Sequence, residues 1–369
     1  MDLFWHFFKT FSARPFLIAF FFSLLITFLI IPLVKKMGLV DNPSIRRHPA
    51  NTHKGAIPRA GGLAIYLSLV ISIFLLLPLT KQIWGIMIGA TIIVIVGLLD
   101  DKYDISPYVR FITNIVAALV VVGSGIGVPF ITNPLGGVIR LDIWRIVFEL
   151  GGKHSILVWA DLFALLWIVW CMNMVNWSKG VDGQMPGFVT IAAFIIGLLS
   201  FRFVSGGDLR QWIPAVLAFI TAGAFCGFLP WNFYPQKIMP GYSGGALAGF
   251  LLAVLSILSV AKVGTAMLVL GIPMLDAIYT IIRRLSLRKS PFWGDRGHLH
   301  HRLLDIGWGR RRIALFYWLV SAILGLVALL VTSKIKLFIV LFIAVTLGGT
   351  LLWLSFFSTF SKQSDPDNG

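Results

Sequence analysis

The chain runs to 369 residues, 58% of them apolar and only 12% charged, with a mean hydropathy of +0.89 and a formal net charge of +16. An ordinary soluble domain carries about a quarter of its residues as Asp, Glu, Lys and Arg, and a disordered chain cannot be this apolar, so both classes are excluded. What remains is an all-α polytopic membrane protein, because helices satisfy their own backbone groups in lipid. Cys171 and Cys226 both lie in apolar runs and read as small buried hydrophobes, not as a disulfide. The basic excess reads as orientation signal and contact with anionic membrane lipid; no nucleic-acid motif is present.

Apolar runs of the length that crosses a bilayer number about 11. In chain order they cover 16–34, 61–79, 83–99, 109–128, 156–175, 187–204, 212–230, 244–260, 263–282, 313–332 and 336–358. Residues 1–15 read as an interfacial lead-in. The joins at Ala261–Lys262 and Ser333–Lys336 are short enough to require tight helical hairpins. With the N-terminus outside, the inward segments hold 20 of the 31 Lys and Arg residues, concentrated between Lys35 and Arg59 and between Arg283 and Arg312. The positive-inside rule and the odd span count then put the C-terminus in the cytoplasm. This gives a single membrane domain over 1–360, with cytoplasmic loops at 35–60, 100–108, 176–186, 231–243 and 283–312 and a short disordered tail at 361–369.

Fourteen of the 15 acids are Asp, and the unusual polar clusters all fall on the inward face. Asp100 and Asp101 close the third span; adjacent carboxylates at a membrane boundary persist most readily where a cation offsets them. The alternative is a solvated loop pair. Asn173, Asn176, Lys179 and Asp182 stand at the inner end of the fifth span, where Gly180, Gly183 and Gly187 predict unwinding close to a ligand; interhelical amide hydrogen bonds and a turn are the alternative. Asp276, two turns from the inner end of the ninth span, is an intramembrane acid and a functional candidate by default, or else a structural partner of Arg283 or Lys262. Asp161, near the outer end of its span, reads as structural. His298, His300, His301 and Arg302 sit in the longest basic loop; no cysteine or spare carboxylate completes a zinc set, and phosphate contact fits better. Lys54 and Arg59, among glycines before the second span, are compatible with phosphate handling.

Taken together these residues resemble the polyprenyl-phosphate N-acetylhexosamine-1-phosphate transferases, in order, spacing and sidedness from about Lys54 to Arg302. The resemblance implies transfer of a sugar 1-phosphate from a UDP-N-acetylhexosamine to polyprenyl phosphate, with release of UMP. It implies that Asp100, Asp101 and Asp276 are catalytic and that Asn176 and Asp276 hold magnesium, for which manganese can substitute. Lys54, Asn173, Asp182, His298, His300, His301 and Arg302 become substrate contacts, and homodimers the common assembly. Lys179 stands where bacterial relatives carry an acid. Three readings stay open there: a new phosphate contact, a changed donor preference, or impaired catalysis. Two other classes compete with the enzyme: a transporter, which predicts polar groups at the midplane on broken helices, and a silent polyprenyl-phosphate binder, which Lys179 alone favours.

Overall fold

The computed structural model describes residues 8–44, 55–133, 136–149, 153–259, 262–290 and 295–363. Thirteen helices carry the described chain: α1 (Lys9–Lys36), α2 (Gly61–Leu76), α3 (Lys81–Tyr103), α4 (Pro107–Gly123), α5 (Val158–Trp177), α6 (Gln184–Ser205), α7 (Trp212–Asn232), α8 (Gly241–Leu258), α9 (Lys262–Val269), α10 (Gly271–Ser286), α11 (Leu299–Asp305), α12 (Arg310–Leu330) and α13 (Ser333–Gln363). Seven of these are long and apolar enough to cross a membrane, and α9 with α10 makes an eighth if the pair counts as one span. The apolar helices α2 and α4 are shorter, at 16 and 17 residues.

α8 lies at the centre, buried all round from Gly241 to Ser256. It packs on α5, α3 and α2. Lipid offers apolar side chains no preference for protein over membrane, so close approach through small residues drives this packing. Gly249 faces the Cys171 carbonyl and Met172 of α5, Gly245 faces Asn176, and Gly97 of α3 lies against Ser243. α1 meets α7 in the same way, with Gly223 and Gly227 beneath the Phe16 and Phe20 carbonyls. Helix α5 is tied to α8 by the Trp167 indole, which donates to Ser256 Oγ at 2.9 Å.

Four features differ from the sequence expectation. The lead-in is already helix from Lys9, held by Phe8 on Phe201 and Phe11 on Trp212 at ring separations of 5.7 and 6.1 Å. The span over 263–282 is broken, with α9 and α10 meeting at 83°; Pro273 lacks an N–H and crowds the Val269 carbonyl four residues back. The two-residue join before α13 is present, but α13 packs on α9 and α10 instead of folding back along α12. Its helix also runs through Gln363, so the segment placed in the tail from 361 begins as helix.

Three small antiparallel pairs complete the described chain. β1 (Val40–Asp41) pairs with β2 (Ile57–Pro58), Val40 opposite Pro58. β3 (Phe130–Thr132) with β4 (Val138–Arg140) and β5 (Arg145–Glu149) with β6 (Lys153–Leu157) form hairpins between α4 and α5. The β1–β2 pair is the one that matters for the site. Its strand continues as a bridge from Arg59 to Met239, the Met239 amide donates to the Pro58 carbonyl at 2.8 Å, and the Gly61 amide donates to the Met239 carbonyl at 2.9 Å. That lacing fixes Arg59 beside the N-terminus of α8.

Candidate active site

The C-terminal ends of α3, α5, α7 and α10 and the N-terminal ends of α4, α6, α8 and α12 meet at one end of the bundle, and the polar clusters converge there. Asp100 and Asp101 are both buried on the last turn of α3, but their surroundings differ. Asp101 Oδ1 accepts the Tyr242 amide at 2.8 Å and lies 3.1 Å from Arg59 Nε, while its Oδ2 accepts the Ser243 hydroxyl at 2.9 Å. It therefore caps α8, whose N-terminal amides and dipole favour a carboxylate. Gly241, at φ +70°, brings the backbone over this carboxylate where a Cβ would collide with it. Asp100 Oδ1 accepts Arg110 Nε at 2.6 Å, and Arg110 also grips Asp104 at 2.7 Å. Asp100 Oδ2 has no hydrogen-bond partner among the described residues and lies 3.8 Å from Arg59. Of the two adjacent acids, Asp100 is the one with an oxygen to offer.

Asn173 and Asn176 share a face of α5, yet they do different things. Asn173 donates to the Val169 carbonyl at 2.8 Å in its own helix. Asn176 Oδ1 accepts from Lys179 Nζ at 2.6 Å, and the same ammonium donates to the Gly241 carbonyl at 2.8 Å. Burial and then the nearby Arg59 push Lys179 down to about 7, against the pull of Asp101 and Asp100. Asp182 is buried; its Oδ2 accepts the Gln236 amide at 3.3 Å and stands 3.7 Å from Arg310. Gly183, at φ +76°, donates its amide to Asn232 Oδ1 at 3.0 Å, and Trp318 donates to its carbonyl at 3.0 Å. The unwound segment after α5 is thus held by α8, by the end of α7 with the loop after it, and by α12.

Asp276 is buried on α10, where its Oδ1 accepts the Leu299 amide at 2.8 Å and its Oδ2 lies 2.9 Å from His298 Nδ1. It pins α11 onto α10. His298 and His300 stack at 5.6 Å, His300 and His301 approach to 4.3 Å, and the His300 imidazole lies against Gly180, where a Cβ would displace it. Arg302 donates to the Gly297 carbonyl at 3.0 Å and stacks over Tyr279 at 5.3 Å. The histidine loop and the segment after α5 therefore share one wall. Asp161, as expected, is structural: its Oδ2 accepts the Leu157 amide at the start of α5 at 2.9 Å.

Burial, then His301, His298 and Arg296, holds His300 well below its ordinary 6.5; burial, then Arg296 and His298, pushes His301 down to about 4. Both are neutral imidazoles at neutral pH. With folded values depressed, the unfolded chain takes up protons first as pH falls, so stability present above 6.5 is lost between 6.5 and about 4. Detergent-purified protein is expected to lose ~2 kcal/mol through His301 between pH 7 and pH 5. His301→Gln should flatten the fall of the melting midpoint over that range; an unchanged slope would show that the imidazole reaches water in the folded state.

Lys54 lies outside the described residues. Arg110, Tyr242, Ser243, Asn232 and Arg310 belong to the cluster and were not singled out from sequence. Among the described residues, no three His, Cys, Asp or Glu side chains gather as a metal cage. For the magnesium ion that the resemblance implies, Asp276 fits: each oxygen accepts one hydrogen bond and keeps a lone pair, and magnesium usually takes one or two carboxylates with water and substrate phosphates. Asn176 fits less well: its oxygen keeps a lone pair, but the Lys179 ammonium that donates to it puts a positive charge where a second cation would approach.

The fold is that of a helical membrane protein with a buried polar cluster at one end, and a family model described as glycosyl transferase family 4 matches residues 83–260. The chain is 32% identical over 343 residues to a probable undecaprenyl-phosphate N-acetylglucosaminyl 1-phosphate transferase of Bacillus subtilis (strain 168), covering 88% of this chain and 87% of that protein. It is 31% identical over 315 residues to a decaprenyl-phosphate N-acetylglucosaminephosphotransferase of Mycobacterium tuberculosis (strain ATCC 25618 / H37Rv), covering 78% and 74%. It is 28% identical over 324 residues to the undecaprenyl-phosphate alpha-N-acetylglucosaminyl 1-phosphate transferase of Escherichia coli (strain K12), covering 84% and 81%. The chain belongs to glycosyl transferase family 4, together with these polyprenyl-phosphate sugar-1-phosphate transferases.

Proposed function

We propose that the protein transfers a sugar 1-phosphate from a UDP-N-acetylhexosamine to polyprenyl phosphate in the plasma membrane, at a site facing the cytoplasm, as the first membrane step of a cell-envelope glycan. The supporting observation is the asymmetric acid pair: Asp101 spent on the α8 N-terminus, Asp100 held by Arg110 with one oxygen that accepts no hydrogen bond and has only Arg59 at 3.8 Å beside it. An oxygen of the lipid phosphate attacks the β-phosphorus, the β-phosphorus to α-phosphate bond breaks, and UMP leaves. With a second pKa of about 6, the attacking phosphate is already mostly dianionic at neutral pH, so no proton has to be removed. Phosphoryl transfer of this kind needs positioning and charge neutralisation. Arg59 and Arg110 supply fixed positive charge, and Asp100 fixes the orientation of Arg110. Asp276 would hold magnesium, which when bound supplies further neutralisation of the diphosphate.

The polar groups crowd one end of the bundle. A transport pathway places them at the midplane, so the enzyme is the better reading. Its test is UMP release by detergent-purified protein given undecaprenyl phosphate, magnesium and a panel of UDP-sugars. Release with one sugar establishes the reaction and names the donor; silence with every sugar overturns it. A periplasmic signal from a reporter fused after Lys362 would overturn either the span count or the orientation.

A further inference from the structure

Three cations stand around Asp100 and Asp101, and two of them are already matched. Arg59 lies within ion-pairing distance of Asp41, Asp100 and Asp101. Arg110 pairs with Asp100 and Asp104. Lys179 is different. Its Nζ touches two neutral oxygens, those of the Asn176 amide and the Gly241 carbonyl, and its charge sits 5.8 Å from the Tyr242 ring. Among the described residues, no carboxylate lies within ion-pairing distance of it. An ammonium has three donors, and two are placed. Lys179 is half-buried, so its charge is only partly hydrated and has no counter-charge beside it, and an arriving anion supplies the missing partner.

The position of Lys179 is also enforced. Gly241 offers its carbonyl to Lys179, while the next amide, that of Tyr242, caps Asp101. A single peptide group at the start of α8, its carbonyl on the ammonium and its amide on Asp101, therefore spaces Lys179 from the acid pair. Asn176 supplies the second anchor, from the last turn of α5. The same contact sets a positive charge beside the Asn176 oxygen, where a metal ion would have to approach.

We infer that Lys179 is a phosphate-gripping residue of this site, its remaining N–H donating to a phosphoryl oxygen of the substrate, with Asn176 and Gly241 as its positioning partners. The inference rests on the transferase reading and deepens it. A phosphoryl oxygen can come from the diphosphate of the nucleotide or from the lipid phosphate. Both are the same chemistry to an ammonium, and binding separates them.

The test uses full-length protein in detergent with magnesium, and equilibrium titration with UDP, UMP and undecaprenyl phosphate. Lys179→Gln keeps donors for Asn176 and Gly241 but removes the charge, and Lys179→Arg keeps the charge. The expected result is a loss of at least 10-fold in Lys179→Gln affinity for UDP or for undecaprenyl phosphate, restored at least in part by Lys179→Arg, with melting midpoints close to that of the parent. Loss confined to UDP, with UMP changed less than 3-fold, places the contact on the β-phosphate; loss confined to the lipid places it on the acceptor. Unchanged binding of all three ligands overturns the inference. If Lys179→Gln does not fold, Asn176→Ala, which removes an anchor and leaves the cation, should weaken the same ligand by a smaller factor, and unchanged binding there is equally decisive. Because binding is read without turnover, a failure of the transferase reading shows separately, as absent UMP release from a protein that still binds phosphate.

Discussion

Asp276→Asn is expected to lower kcat for UMP release by about 10³-fold while leaving the melting midpoint near that of the parent, whereas Asp276→Ala should lose both. The reason lies in the two bonds that this acid makes. Its Oδ1 accepts the Leu299 amide at 2.8 Å, and an Asn side-chain oxygen can keep that bond. Ala leaves a buried amide unpaired, at a cost of about 1–3 kcal/mol, and frees α11 from α10. What Asn cannot keep is the negative charge opposite His298 at 2.9 Å, nor the ligand strength of a carboxylate toward magnesium. A comparable loss in both variants, tracking the melting midpoint, would reduce Asp276 to a structural pin. Retention of activity by Asp276→Asn would remove it from the metal site.

The acids of this site were legible in the sequence because carboxylates at a membrane boundary are costly and few. Asp100, Asp101, Asp182 and Asp276 each announce themselves by position, and the structure brings them to one end of the bundle. Their partners do not. Arg110 reads as one more basic residue near a helix start, and its grip on Asp100 depends on how α4 turns back from α3 at Ser106. The cap on Asp101 is a backbone amide, which has no residue type to betray it. Gln236 and Arg310 are separated from Asp182 by 54 and 128 positions, so only the folded packing of α12 and of the loop after α7 shows the connection. The break between α9 and α10 left a signal in Pro273, but hydropathy alone runs straight through it. The β-hairpins between α4 and α5 fall where an apolar scan yields no span, and such a scan carries no period-2 test.

Asp100→Asn is expected to lose about 10²- to 10³-fold in kcat, by the same factor at pH 6 and at pH 9. If Asp100 were a base removing a proton from the acceptor, raising the pH would do its work for it, and the variant would recover. The acceptor phosphate titrates near pH 6 by itself, so parent and variant should share that limb of the profile and keep a constant ratio. The loss instead comes from Arg110. Its Nε–Asp100 contact is 2.6 Å, and charge-assisted bonds of this kind are roughly twice as strong as neutral ones. An Asn side chain can keep one acceptor on Arg110, but its amide nitrogen then faces Arg59, which stands 3.8 Å from Asp100 Oδ2. Two donors meeting there push the guanidinium groups out of register with the diphosphate. Arg110→Lys should reproduce much of the defect, because a point charge cannot hold Asp100 and Asp104 together as a guanidinium does. Recovery of Asp100→Asn at pH 9 would instead make Asp100 the base.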